Sequence, residues 1–230
     1  IGHARCTLRP WIDHRHAQTL GHQFGGNHTF NGDSGSCSGG NRNGSTAYEP
    51  GSGSTIQAYA GICGNDNLQS NSDAYFHGIS LDEMTAHVTT GSGGTCGTTI
   101  TTGNPIPVVS VPSGFTIPAE TPFSLTGSAT DDTPGSLTYT WEEFDLGPQA
   151  DVNAGTVPLF RSFLPTASGT RVFPQLDRLL DGLPPVIGET LPTAAGTYTF
   201  RLTARDNNPG AGAIHDASLD VDVVATGSPF

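Results

Sequence analysis

All four cysteines and seven of the eight histidines of this 230-residue chain fall within residues 1–97. Beyond residue 106 the chain instead breaks into short alternating apolar runs. So uneven a distribution predicts a loop-rich, cysteine-bearing region followed by a β-rich one. Residues 98–106, a polar stretch closing on Asn104-Pro105-Ile106, read as the linker between them. Apolar types make up 34% of the chain and the 31 glycines bring it near the usual globular share, so a packed core is within reach. No apolar run approaches the ~20 residues that cross a bilayer, which argues against a membrane span. Nine arginines face 21 acidic residues without one lysine, for a net charge of −12. Such a surface repels phosphate backbones, so nucleic acid is not an expected partner.

The chain starts at Ile1 without an initiator methionine or a charged lead into an apolar stretch, as expected of a mature or truncated product. Cys6, Cys37, Cys63 and Cys96 form no Cys-x-x-Cys pair, which excludes zinc-ribbon and thioredoxin readings. An even count in a lysine-free, Gly/Ser/Thr-rich chain suits a secreted, extracellular protein. Of the three pairings that four cysteines allow, Cys37–Cys63 with Cys6–Cys96 is favoured; four buried free thiols are the alternative. Residues 1–16 hold three arginines and three histidines with no apolar periodicity, and read as an atypical leader.

In the second region, period-two patterning predicts strands at 107–111, 115–118, 123–129, 137–144, 198–205 and 217–225, the mark of an antiparallel sandwich. Trp141 alternates in phase with Leu137 and Tyr139, which makes it a core anchor rather than a stacking platform. Residues 146–195 form a long proline-rich insertion with one helical turn at 175–180. Acidic turns at Asp131-Asp132 and at Asp206 offer hard oxygen ligands for Ca²⁺, though plain turn chemistry explains them nearly as well.

The first region carries two helix candidates. Leu81 to Val88 has Ser80 as a plausible N-cap with Glu83 three residues on. There Asp82 and Glu83 point apart and read as a solvated face. The other helix runs from Arg15 to Phe24 and stops at Gly25-Gly26. That stop matters, because His22, Gly25 and His28 are spaced so that a glycine-governed turn can bring the second imidazole back beside the first. His14 and His16 lie nearby, but neither stands four residues before His22; His77 and His87 read as structural.

The stretch from Gly21-His22-Gln23-Phe24-Gly25-Gly26-Asn27-His28 through Tyr48-Glu49-Pro50-Gly51-Ser52-Gly53-Ser54 to Ala58-Tyr59-Ala60-Gly61-Ile62-Cys63 resembles the metzincin zinc peptidases. It is most similar to the secreted bacterial reprolysin-like metallopeptidases, whose signature is His-Glu-x-x-His-x-x-Gly-x-x-His before a Met-turn. Tyr139 to Glu142 and Phe200 to Leu202 look like the Ig-like module that often follows such a domain. The resemblance implies a mixed fold. A truncated α+β metzincin-like region (residues 1–97, with 1–19 atypical) would precede an all-β Ig-like sandwich (residues 107–226).

It further implies Zn²⁺ held by His22 and His28, with Gln18 where the family places its first histidine. Thr19 stands where the family has its catalytic glutamate. Gln57 replaces the methionine of the Met-turn, and Tyr59 sits where some metzincins place an oxyanion-steadying phenol. A neutral amide is a poor zinc ligand and Thr19 cannot act as a base near pH 7, a loss that typically lowers rate by ~10²–10⁴. Only 17 residues precede Gln18, whereas the family carries a sheet and helices there. The abrupt break points to a truncated or frame-shifted product, or to a paralogue without catalysis. The expected partner is a protein or peptide substrate, or, for a noncatalytic binding module, an extracellular polymer. A truncated core that exposes apolar surface also predicts self-association.

Overall fold

The computed structural model describes residues 14–132 and 136–226, excluding the side chains of His14 and Arg15. Helix α1 spans His14–Gln23. It ends because Gly25 adopts a φ of +89°, so the Gly26 amide reaches the Gly21 carbonyl at 2.9 Å and the Gly25 amide reaches that of His22 at 3.0 Å. This pair of bonds satisfies the last carbonyls and reverses the chain. Residues 26–77 then run as tight loops with short 3₁₀ turns, held by backbone pairs such as Asn31 to Glu49 at 2.8 Å and Gly32 to Gly51 at 2.7 Å. The disulfide Cys37–Cys63 closes this layer, and both sulfurs pack with buried Phe30 and half-buried Tyr59. Cys96 is exposed and has no disulfide partner among the described residues; its expected partner, Cys6, lies outside them.

Helix α2 spans Gly78–Thr89, three residues earlier than the pattern predicted. Its N-cap is His77, whose Nδ1 accepts from the Ile79 amide at 3.1 Å, and Ser80 is buried inside the first turn. Glu83 therefore makes no capping box. Its carboxylate instead accepts from the Asn27 amide at 2.8 Å and the Asn27 side chain at 2.5 Å. That bond ties α2 to the loop leaving α1. Asp82 is likewise engaged, with Arg201 at 2.5 Å, so the expected solvated face bridges two elements.

The C-terminal part is β-rich. Its strands are β1 (Val108–Ser110), β2 (Phe115–Pro118), β3 (Phe123–Thr126), β4 (Ser128–Thr130), β5 (Thr138–Glu143), β6 (Thr170–Phe173), β7 (Gly196–Arg205) and β8 (Ile214–Val224), with a short helix α3 at Leu176–Leu180. The sheets are β2-β8-β7-β5, β1-β4 and β3-β6. The predicted strand 123–129 divides at Gly127, whose amide pairs with the Gly169 carbonyl at 2.9 Å. β6 lies inside the segment read as an insertion. The purely antiparallel expectation is corrected at one edge, where β2 pairs parallel to β8. These strands are far apart in sequence, so no hairpin dictates their direction.

Phe123, Phe160, Phe173 and Phe200 form the centre of the core, with ring centroids 4.9–5.9 Å apart. Trp141 is 2% exposed there and donates to the Gly169 carbonyl at 3.0 Å. Alternation fails on the other face of β5, because Thr140, Glu142 and Thr203 of β7 are also buried. The N-terminus of α2 sits against them, and the Gly78 amide donates to Glu142 Oε2 at 2.9 Å. Arg205 joins the same seam, reaching Thr140 Oγ1 at 2.9 Å and the Phe76 carbonyl at 3.0 Å. Residues 146–195 also lie against the first region. Asn31 and Arg42 donate to the carbonyls of Pro148 and Gly147, and Gln149 donates to that of Gly32.

Candidate functional site

His22 lies in the last turn of α1, and the glycine reversal described above returns the chain so that His28 faces it. The two Nε2 atoms stand 3.1 Å apart, with the rings edge-on at 4.7 Å between centroids. The opposite nitrogens decide what this pair can do. His22 Nδ1 is 2.7 Å from the Gly26 carbonyl oxygen and His28 Nδ1 is 2.6 Å from that of Asn41. A carbonyl only accepts, so each Nδ1 carries a hydrogen, although the Gln57 amide nitrogen also lies 3.2 Å from His22 Nδ1; a ring without a second proton then presents a bare Nε2 lone pair.

Two lone pairs facing each other across 3.1 Å repel unless a proton or a cation lies between them. Burial, and secondarily the neighbouring His22, hold the His28 pKa below 6.5, with the Asn41 bond acting the other way. That disfavours the proton. Two nitrogens bound to one tetrahedral zinc ion at ~2.0–2.1 Å stand about 3.3 Å apart, so the 3.1 Å spacing fits a shared ion. Backbone carbonyls that fix the tautomer of a ligating histidine are the usual second layer of such a site.

The remaining predicted positions are placed as follows. Gln18, on the same helix, donates its amide nitrogen to the Ala58 carbonyl at 3.1 Å. Thr19 is exposed and His16 is exposed; the side chain of His14 is outside the described residues. Tyr59 packs its ring edge on His28 at 4.5 Å and stacks on Phe30 at 4.6 Å, and burial raises its phenol pKa. It therefore stays protonated and buttresses the His28 ring. Among the described residues no three His, Cys, Asp or Glu side chains converge as a metal group.

Of the calcium candidates, Asp206 is buried and accepts from Asn104 at 2.5 Å and from the amides of Asn208 and Ala213 at 3.0 and 2.9 Å. Its burial raises the pKa, but these hydrogen bonds outweigh that and leave it lowered. Asp131 and Asp132 follow β4, next to the residues outside the description.

Two buried carboxylates, Glu49 and Asp66, escaped the sequence reading of roles. Glu49 is fully buried, and its carboxylate accepts from Thr29 Oγ1 at 2.5 Å, Thr55 Oγ1 at 2.6 Å and the Ser54 amide at 2.8 Å. Thr29 adjoins His28, so this carboxylate fixes the loop that presents the second imidazole. Asp66 does the same for the disulfide layer, accepting from the amides of Asp33, Ser34 and Val152 at 2.7, 2.9 and 3.0 Å.

Gln57 lies beneath the pair, where its amide nitrogen reaches the Gly26 carbonyl at 3.0 Å and its buried Oε1 has no hydrogen-bond partner. An orphaned buried oxygen costs about 1–3 kcal/mol, more than one neutral hydrogen bond contributes. Gln57→Met is accordingly expected to raise stability by about 1 kcal/mol, read as a higher urea midpoint; a lowered midpoint would show that the bond to Gly26 matters more.

Residues 12–79 match the family described as metallo-peptidase family M12B, reprolysin-like. No curated protein matches the chain. The matched residues include α1, both imidazoles and the Glu49 cradle, so this part of the chain is a metzincin-like region of peptidase-related lineage. The β-rich part lies outside the match.

Proposed function

We propose that the chain is a secreted, extracellular zinc-binding relative of the reprolysin-like metallopeptidases in which peptide-bond hydrolysis is lost or residual. One observation carries this reading: two Nε2 atoms face each other at 3.1 Å, with each Nδ1 within hydrogen-bond distance of a backbone carbonyl. His22 and His28 would hold the ion, with the Gln18 side chain where the family has its first histidine. Zinc in such a site supplies Lewis acidity and a bound water of lowered pKa. What the chain itself provides stops short of turnover. The Gly26 and Asn41 carbonyls orient the ligands and Tyr59 buttresses one of them, but Thr19 has no group able to take a proton from water at neutral pH.

The expected result is measurable zinc binding that weakens about tenfold or more in His22→Ala, together with casein turnover at the buffer level. Zinc binding unchanged in His22→Ala would overturn the reading. The double change Gln18→His, Thr19→Glu tests the lineage further. It should tighten zinc binding, and turnover recovered with it would mean that the rest of the cleft is competent.

A second reading is favoured by one feature of the β-rich part, which we take as an Ig-like module. An open pocket there is lined by Tyr139, Trp141, Phe163, Leu164 and Arg171, a surface suited to an extracellular polymer. Binding of the full chain to insoluble polysaccharide, lost in Phe163→Ala at unchanged zinc affinity, would select this noncatalytic role.

A further inference from the structure

We propose that His22 and His28 are half of a metal site that a second copy of the chain completes, so that one zinc ion joins two chains. This rests on reading the pair as a metal site, and goes beyond it in naming the partner. Two nitrogens leave a tetrahedral ion two positions short. Among the described residues no third His, Cys, Asp or Glu joins the pair, and Gln18, whose amide nitrogen donates to the Ala58 carbonyl, can offer only a neutral amide oxygen, a poor zinc ligand. The pair is also open to the outside: His22 is exposed, His28 is half buried, and the contact between their Nε2 atoms is itself at the surface.

A locked, outward-facing pair of identical donors is what a twofold axis can duplicate, because each copy contributes the same patch. Four imidazole nitrogens, two from each chain, then satisfy the ion. Chains of net charge −12 repel one another, so the association is metal-dependent rather than spontaneous.

The test uses the full chain stripped with EDTA and titrated with Zn²⁺, followed by sedimentation velocity with metal analysis of each species. The expected result is a monomer in EDTA, a dimer carrying one zinc per two chains at half an equivalent, and zinc-loaded monomer again in large excess. His22→Ala and His28→Ala should each weaken dimerisation about tenfold or more. A monomer binding one zinc at every ratio overturns the bridge while leaving the metal site intact. A folded chain that binds no zinc removes both. A dimer that persists in EDTA, or in both histidine variants, also overturns the proposal.

Titration of the unaltered chain with Co²⁺ makes the outcome independent of how the variants fold. Tetrahedral visible absorption should saturate at half an equivalent, and saturation at one equivalent would refute the shared site.

Discussion

Glu49→Ala is expected to lower stability by about 3–5 kcal/mol, the range reached when several buried donors lose their acceptor and a cavity opens in one truncation. Three loops converge on this carboxylate. Thr29 and Thr55 give it their hydroxyls, and the amides of Ser54 and Thr55 approach at 2.8 and 3.2 Å. Truncation would leave those donors buried without an acceptor and open a void beside Gly53, where an added Cβ would already lie 3.0 Å from the Glu49 side chain. Each stranded donor costs about 1–3 kcal/mol, and cavity terms add to it.

Glu49→Gln keeps the shape and one acceptor oxygen, so it should lose markedly less. Urea unfolding at neutral pH of the two variants beside the native chain is the measurement. Equal losses for Gln and Ala would mean that charge, not hydrogen-bond count, holds the loops. A loss below ~1 kcal/mol for Ala would mean that the loops are held by the disulfide and backbone pairs alone.

The imidazole pair and its supports differ in how far the sequence reveals them. Gly25-Gly26 announces the end of α1, and the spacing from His22 to His28 is short enough that one reversal must bring the rings together, so local chemistry sufficed. The strands of the second region were legible because Tyr198, Phe200 and Leu202 alternate against threonine and arginine. What alternation could not reveal is that the polar face of β5 and β7 is also buried. Glu142 and Thr140 look solvent-facing until the N-terminus of α2, some sixty residues earlier, is docked on them.

The same blindness hid Glu49 and Asp66, whose partners are backbone amides of remote loops and leave no periodic trace. The start of α2 was misplaced because Ser80 and Glu83 imitate a capping box, whereas the cap is a buried histidine. Strand order was hidden for a further reason, since pairing partners such as β2 and β8 share no turn whose residues could specify them.

The second large effect is a stability that declines toward alkaline pH, carried by Glu143. Burial, reinforced by the nearby Asp145, pushes its carboxyl up to about 8, against the pull of the Phe160 and Leu159 amides that it accepts. The unfolded chain ionises near 4.5, so between 4.5 and 8 the native state holds the extra proton. Stability from this group is then full below 4.5 and is lost as pH rises through 8.

His77 acts in the opposite sense. Its burial lowers the pKa from 6.5 to about 4, so its contribution is present above 6.5 and fades as pH falls through 4. Asp145, raised to about 6 chiefly by burial, completes its own loss by about that pH. Above pH 6.5, therefore, Glu143 alone among these three still titrates. The native chain should lose up to about 2 kcal/mol between pH 6.5 and 8, since one proton changes stability by at most ~1.4 kcal/mol per pH unit.

Glu143→Gln carries no ionisable proton and retains an oxygen for the two amides. Its urea midpoint should stay nearly level across that window and exceed the native value at pH 8. If the variant shows the same downward slope as the native chain, the slope belongs to another group, and the buried carboxyl at the centre of the β-rich part is already ionised at neutral pH.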